Sequence, residues 1–308
     1  MNLSARPSRL ARIAGLLAVA ALALGPAPAA LAGSFTDELG RAVQAPERPR
    51  RIIALTPALT ETLFALGLGD KVVGVTAWSD YPPQAKGLPQ IGSYVAPNLE
   101  RILELAPQLV LASRDGNPPE LIAQLSGLGV AVYVVAPDDP LALPATLEAL
   151  GRVCGAPQAG RRLAEGLRRD YAAVAARLAG VQPRPTLMVI GSSPLITAGE
   201  GSLTNRLLVM AGGHNIAQGL PGRWPTLSLE KVVEAQPEVV VLSTMERGMD
   251  RDRVMAYWRN LPGLAERPGL RVVYIDSDII DRAGPRLGQG LMALARLIHP
   301  ERFAEDRR

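Results

Sequence analysis

The 308 residues include only one cysteine and two histidines, and aromatic residues make up 4% of the chain. Each scarcity removes a class of protein. A lone Cys154 cannot close an internal disulfide, so a disulfide-stapled scaffold is excluded and the residue reads as a small buried hydrophobe. A zinc or manganese site needs several His or carboxylate ligands gathered in one place. His214 and His299 stand far apart in sequence. His214 follows the helix-ending pair Gly212-Gly213 and reads as a cap, and His299 reads as the end of the last helix. No G-x-S-x-G, H-E-x-x-H or Walker sequence occurs, and the glycine-rich GSSPLITAGEG lacks the lysine of a phosphate loop. A secreted α/β hydrolase built on a serine and a distant histidine therefore has no motif behind it.

Long apolar runs are missing as well. The run Ile13 to Leu24 is shorter than the ~20 residues that a spanning helix needs. Arg6, Arg9 and Arg12 precede it and Ala30-Leu31-Ala32 follows it, which is the pattern of a cleaved secretory signal over residues 1–32. The segment carries three arginines and no acid, so the formal charge falls from +4 to +1 (4 − 3) without it. The basic balance is thus no argument for nucleic acid, which would call for a clustered basic face. Export from the cytoplasm is expected.

What is present is a repeat. NLERILELAPQLVLAS (Asn98 to Ser113) returns as SLEKVVEAQPEVVVLS (Ser228 to Ser243) without a gap. Each copy has a capping residue, an acid in the first helical turn, a proline that stops the helix, an apolar strand and a closing serine. One unit repeated once at long range implies two similar α/β lobes rather than a solenoid. Around it, RIIALTP, KVVGVT and VAVYVVAP read as buried strands of a first lobe over 33–156, with 33–49 as an extended lead-in. TLMVIGSS and RVVYID are strands of a second lobe over 181–308. Between them, 157–180 holds Leu163, Leu167, Tyr171, Val174 and Leu178 at spacings of three and four, so it reads as one stiff helix joining the lobes. Such a joint predicts only a small closure on binding.

Ligands of parallel α/β sheets sit beyond the carboxyl ends of the strands. The loops there contain Trp78, Tyr81, Tyr94 and Trp224, a concentrated use of a scarce residue type that suits a bulky apolar ligand. Tyr81, wedged before Pro82-Pro83, reads as a local anchor, and Tyr257 and Trp258 read as core. In DSDIIDRAGPR, Asp281 and Arg286 read as capping groups of a last helix that starts at Pro285. Asp278 and Arg282, nearer the strand end, are candidates to hydrogen-bond a polar ligand rim.

Taken together, RIIALTPALTETLFALG, SDYPP, the two repeat units, RWPTLS and SDIIDRAGPR resemble the periplasmic binding proteins of iron-chelate and cobalamin ABC importers. SDYPP, Trp224-Pro225 and the arginine-rich end of SDIIDRAGPR resemble the members that carry cobalamin. The resemblance implies the class III periplasmic binding protein fold, two Rossmann-like α/β lobes with parallel sheets joined by one long helix. It also implies a monomeric, non-enzymatic receptor with no cofactor of its own, whose cargo is a corrinoid, or alternatively haem or a ferric siderophore. By position, Trp78, Tyr94, Trp224, Asp278 and Arg282 fall where the family contacts its ligand, with no metal ligated by the protein. Glu100 and Glu230, one per repeat, fall where it docks on the two halves of the permease dimer. The sequence departs from the cobalamin pattern at Ser113, which replaces a tryptophan, and at Ile279 and Ile280, which replace two aromatics.

Overall fold

The computed structural model describes residues 32–243 and 250–307. The targeting segment expected over 1–32 lies outside these, apart from Ala32. The described chain opens on an antiparallel hairpin, β1 (Ala32–Thr36) and β2 (Ala42–Pro46), where only an extended lead-in is expected. Asp37 closes its turn by accepting from the amides of Leu39 and Arg41 and from the Arg41 guanidinium.

The first lobe then runs β3 (Ile52–Ala54), α1 (Pro57–Ala65), β4 (Val72–Val75), α2 (Leu99–Glu104), β5 (Leu109–Ser113), α3 (Pro119–Gly127) and β6 (Val132–Val135). Its four strands are parallel, in the order β4-β3-β5-β6. Every residue of β3, β5 and β6 is buried. That is why these stretches are apolar without alternation: a parallel sheet is covered on both faces. Two helices follow, α4 (Leu143–Val153) and α5 (Pro157–Arg177).

The second lobe comprises β7 (Arg184–Ser192), β8 (Leu195–Thr197), α6 (Leu203–Met210), β9 (Gly213–Asn215), α7 (Leu229–Ala235), β10 (Val239–Leu242), α8 (Arg251–Arg259), β11 (Arg271–Tyr274), α9 (Ser277–Ile280) and α10 (Leu287–Ile298). The strand order is β11-β10-β7-β8, with β9 also on β7. β8 runs antiparallel to β7, so this sheet is mixed. His214 is not a helix cap. It lies exposed in β9, and Pro185 of β7 is its partner in the ladder. Trp258 is core at 2% exposure, but Tyr257, expected beside it, is 53% exposed, because adjacent helical positions point about 100° apart.

The repeat becomes α2–β5 in one lobe and α7–β10 in the other. Asn98 and Ser228 both sit in extended conformation and accept from the amide three residues on, of Arg101 and Lys231. Among the described residues, Ala106 (φ 42°) and Gln236 (φ 48°) are the non-glycine positions with positive φ. They occupy the same place in the two copies, one residue before the proline. The residue before a proline is driven out of the right-handed helical region, so neither helix runs past it.

α5 is the joint between the lobes. Gly160, Ala164, Leu167, Tyr171 and Val174 form its buried face. A Cβ on Gly151 of α4 would stand 2.7 Å from the Gly160 Cα, so glycine at both sites lets the two helices touch backbone to backbone. Leu143 and Leu147 of α4 then join α5, β7, β10 and α10 in one core. Leu163 packs on this core and also on that of the first lobe. The lobes share packed interior at their joint.

Candidate functional site

A cleft of about 970 Å³ opens between the lobes, lined by residues that follow β3, β4, β5 and β6 on one side and β10 and β11 on the other. Trp78, Tyr94, Trp224, Asp278 and Arg282 all line it. Trp78 is 42% exposed and Trp224 47%, although each belongs to a concave wall. Rings of this size left half open inside a concavity are contact surface for something else.

Local chemistry displays each ring. Ser79 hydrogen-bonds Thr60 (2.9 Å) and Thr76 (3.0 Å), and this buried hydroxyl chain fastens the loop after β4 to α1. Trp78, one residue earlier, is left facing outward. The next loops are tied by Asn117. Its carbonyl oxygen accepts from the Ser113 amide at 2.8 Å, and its amide group donates to the backbone carbonyls of Leu55 (2.9 Å) and Tyr94 (2.8 Å). Asn117 is 3% exposed and joins the ends of β3 and β5 to the Tyr94 loop. Gly116 makes room beside it. A Cβ there would stand 2.9 Å from the Tyr94 ring, and φ is 101°. Trp224 is carried on a loop laced to β8 by backbone bonds, Gly199 to Arg223 and Thr197 to Pro225, at 2.9 and 3.0 Å.

Asp278 and Arg282 line the cleft and are also paired with each other. Arg282 is only 12% exposed and pairs with Glu61 (2.8 Å), Asp80 (3.2 Å) and Asp278 (2.7 Å). Its guanidinium is already committed across the lobes, and only part of it borders the cleft. Burial raises the Asp278 carboxyl above its ordinary value against the pull of Arg282. Glu61, inside α1, is 3% exposed and also takes two 2.7 Å bonds from Arg286. Arg286 stacks its guanidinium 3.8 Å over the Tyr81 ring, so Tyr81 is an anchor for that arginine.

The capping roles expected of Asp281 and Arg286 are therefore incorrect. α10 begins at Leu287, not at Pro285, and Arg286 occupies its N-cap without a side-chain capping bond. The short helix α9 turns the chain so that Asp281 faces α6 and the end of β10. There it accepts from Thr204 (2.9 Å) and Ser243 (3.3 Å), and burial pushes its carboxyl up to about 6. Ile280, at one departure from the cobalamin pattern, is fully buried in the second-lobe core. Asp281 does line the cleft, as do Arg251 and Tyr274, whose ring the Arg251 guanidinium covers at 4.2 Å. Neither histidine does. His299 is buried with Nε2 2.9 Å from the Gly212 carbonyl oxygen. Burial pushes the Cys154 thiol up to about 12.

Glu100 and Glu230 lie outside the cleft, exposed in the first turns of α2 and α7. Their neighbours differ from them. Glu104 pairs with Arg101 at 2.7 Å and Glu234 with Lys231 at 2.9 Å. Hydrogen bonding to its own amide, then to Ser228, holds the Glu230 carboxyl below its ordinary value.

The sequence pattern described as periplasmic binding protein matches residues 52–276. A vitamin B12-binding protein of Yersinia pseudotuberculosis is 35% identical over 266 residues, covering 86% of this chain and 91% of the relative. The periplasmic vitamin B12 binding protein BtuF of Vibrio cholerae has a solved structure similar to this one, with a TM-score of 0.72 at 28% identity, over 82% of this chain and 97% of that one. The periplasmic heme-binding protein RhuT from Roseiflexus sp. RS-1, in apo form, has a TM-score of 0.72 at 31% identity, over 82% and 99%. Two Rossmann-like lobes, a helical joint, an aromatic cleft between them and a family pattern that runs through both lobes place this chain in the periplasmic binding protein family.

Proposed function

We propose that this protein captures a corrinoid in the interlobe cleft, in the periplasm, and delivers it to an ABC importer without catalysing a reaction. The observation that carries the reading is the set of rings Trp78, Tyr94 and Trp224, supplied by both lobes around one cavity of about 970 Å³. That volume is at the upper end for small-molecule sites, and flat aromatic walls suit a macrocycle. Asp278, which lines the cleft, would accept from amide groups on the ligand rim. The relative from Yersinia pseudotuberculosis and the BtuF structure, both named for vitamin B12, support the same cargo.

Delivery needs a docking surface on each lobe. Glu100 and Glu230 head the two repeated helices, exposed and in equivalent positions, and each would meet a cation on one half of a permease dimer. Such pairs act on orientation and association rate more than on affinity.

The test is calorimetric titration of cyanocobalamin into the purified protein and into Trp224→Ala. Loss of that ring should weaken binding by on the order of 2 kcal/mol, about thirtyfold. Unchanged affinity removes Trp224 from the site, and no binding to either protein removes the corrinoid. Haem is the second reading, favoured by the likeness to RhuT and by Tyr94, which lines the cleft and carries a phenol able to ligate iron. A Soret band in protein mixed with haemin, together with failure to take up cyanocobalamin, would select it.

A further inference from the structure

Ion pairs bridge the cleft along both of its edges. Among the described residues, each of these bridges has its carboxylate in the first lobe and its arginine in the second. One edge is that of β4 and β11, where Arg286 and Arg282 hold Glu61 and Arg282 also holds Asp80. The other is that of β6 and β8. There Arg223 bonds Asp115 (2.9 Å) and Asp138 (3.1 Å), and Arg206 bonds Asp139 (2.8 Å).

The two edges differ in burial and in what separation would leave behind. Glu61 is 3% exposed, and both of its arginines come from the opposite lobe. Pulling the lobes apart there would strand a buried carboxylate, the costly way to break an ion pair. The seam is also narrow at Gly284, where a Cβ would stand 3.5 Å from the Ala58 carbonyl oxygen. At the other edge the arginine and aspartate side chains are 31–47% exposed, where pairs contribute little and salt screens them. Asp138 also has a second partner, Arg114, in its own lobe, so it keeps a cation when Arg223 leaves.

We infer that the cleft opens asymmetrically. Glu61, Arg282 and Arg286 are a pin that fixes the lobes along the β4–β11 edge. Arg223 and Arg206 are a salt-sensitive gate along the β6–β8 edge, through which ligand enters and leaves. Arg282 is then first a positioning residue, holding the two walls at their working separation, and the small closure of a helix-jointed receptor becomes a one-sided swing. The inference stands whatever cargo the cleft carries, because it concerns the empty protein.

Double electron–electron resonance on ligand-free protein tests it. Cysteines at exposed positions carry the spin labels: E120C with Q218C across the gate, Q84C with Q289C across the pin. Native Cys154 is 1% exposed and stays unlabelled. Between ~0.01 M and ~1 M salt the Debye length falls from ~30 Å to ~3 Å. The gate distance should lengthen and broaden over that range while the pin distance stays constant. The surface double variant R206Q/R223Q should show the long gate distance already at low salt. The inference is overturned if both distances lengthen together, if the pin moves while the gate does not, or if neither responds to salt or to the double variant.

Discussion

Replacing Asp281 by asparagine should flatten the dependence of stability on pH. Two hydroxyls, of Thr204 and Ser243, hydrogen-bond this carboxylate and favour its charged form, yet burial outweighs them and sets its value at about 6 against an ordinary 3.8. A raised acid means that the folded protein holds a proton the unfolded chain has already released. Between about pH 4 and pH 6 the folded state therefore binds more protons, and stability falls as pH rises through that window. A shift of roughly two units corresponds to roughly 3 kcal/mol lost by neutral pH. An asparagine side chain would keep an oxygen to accept from the same hydroxyls without needing to ionise. Those bonds are already included in the value of about 6. Asp281→Asn should therefore be nearly neutral at pH 4 and more stable than the parent by roughly 3 kcal/mol at pH 7. Urea midpoints measured from pH 4 to pH 7.5 on both proteins give the difference curve, in which every other titrating group cancels. A flat difference curve, or a variant that loses stability relative to the parent as pH rises, refutes the burial argument.

Three further outcomes follow from the same geometry. Glu100→Ala and Glu230→Ala together should leave cyanocobalamin affinity unchanged and slow uptake into vesicles holding the cognate importer, most at low salt; normal uptake would leave the two acids as helix-dipole partners only. Asn117→Ala removes three backbone hydrogen bonds from a buried side chain and should cost about 3 kcal/mol in chemical denaturation, with a loss of ligand affinity as the Tyr94 loop loosens. Glu61→Gln leaves Arg286 and Arg282 facing a neutral group and should cost on the order of 3 kcal/mol, whereas Asp139→Asn at the exposed edge should cost under about 1 kcal/mol, both read from urea midpoints.

Local signals made the scaffold legible. A cap, a first-turn acid, a proline and an apolar run all lie within sixteen residues, so the repeat could be read directly, and its two copies reappear down to the backbone turn at Ala106 and Gln236. The cleft rings were legible for a related reason: loops that follow buried strands gather at one end of a sheet. What escaped was chemistry set by distant partners. Glu61 sits in ALTETLF, where an acid on an otherwise buried helix gives no hint of two arginines more than 200 residues away. Asp281 looked like a helix cap because its sequence neighbours are those of a cap; only the turn of α9 aims it at Thr204 and Ser243. Asn117, in DGNPP, reads as an ordinary turn residue, although Gly116 beside it is the one local sign that a ring must come close.

The repeat also shows where the two lobes had freedom to differ. Each copy ends its strand region on a serine, Ser113 and Ser243, with 6% and 0% exposure. In the first lobe the Ser113 amide is taken by Asn117, a neutral side chain that ties three loops together. In the second the Ser243 hydroxyl is taken by Asp281, an acid whose carboxyl burial pushes up to about 6. The helices leading to those serines present matching acids outward, Glu100 and Glu230, where a partner made of two like halves would demand likeness. The strand ends face a cleft whose occupant need not be symmetric, and there the lobes diverge: neutral ties and first-lobe carboxylates on one wall, arginines and a protonatable aspartate on the other. Symmetry outside and asymmetry inside is the distribution expected of a chain that meets a two-fold partner with its surface and a single small molecule with its cleft.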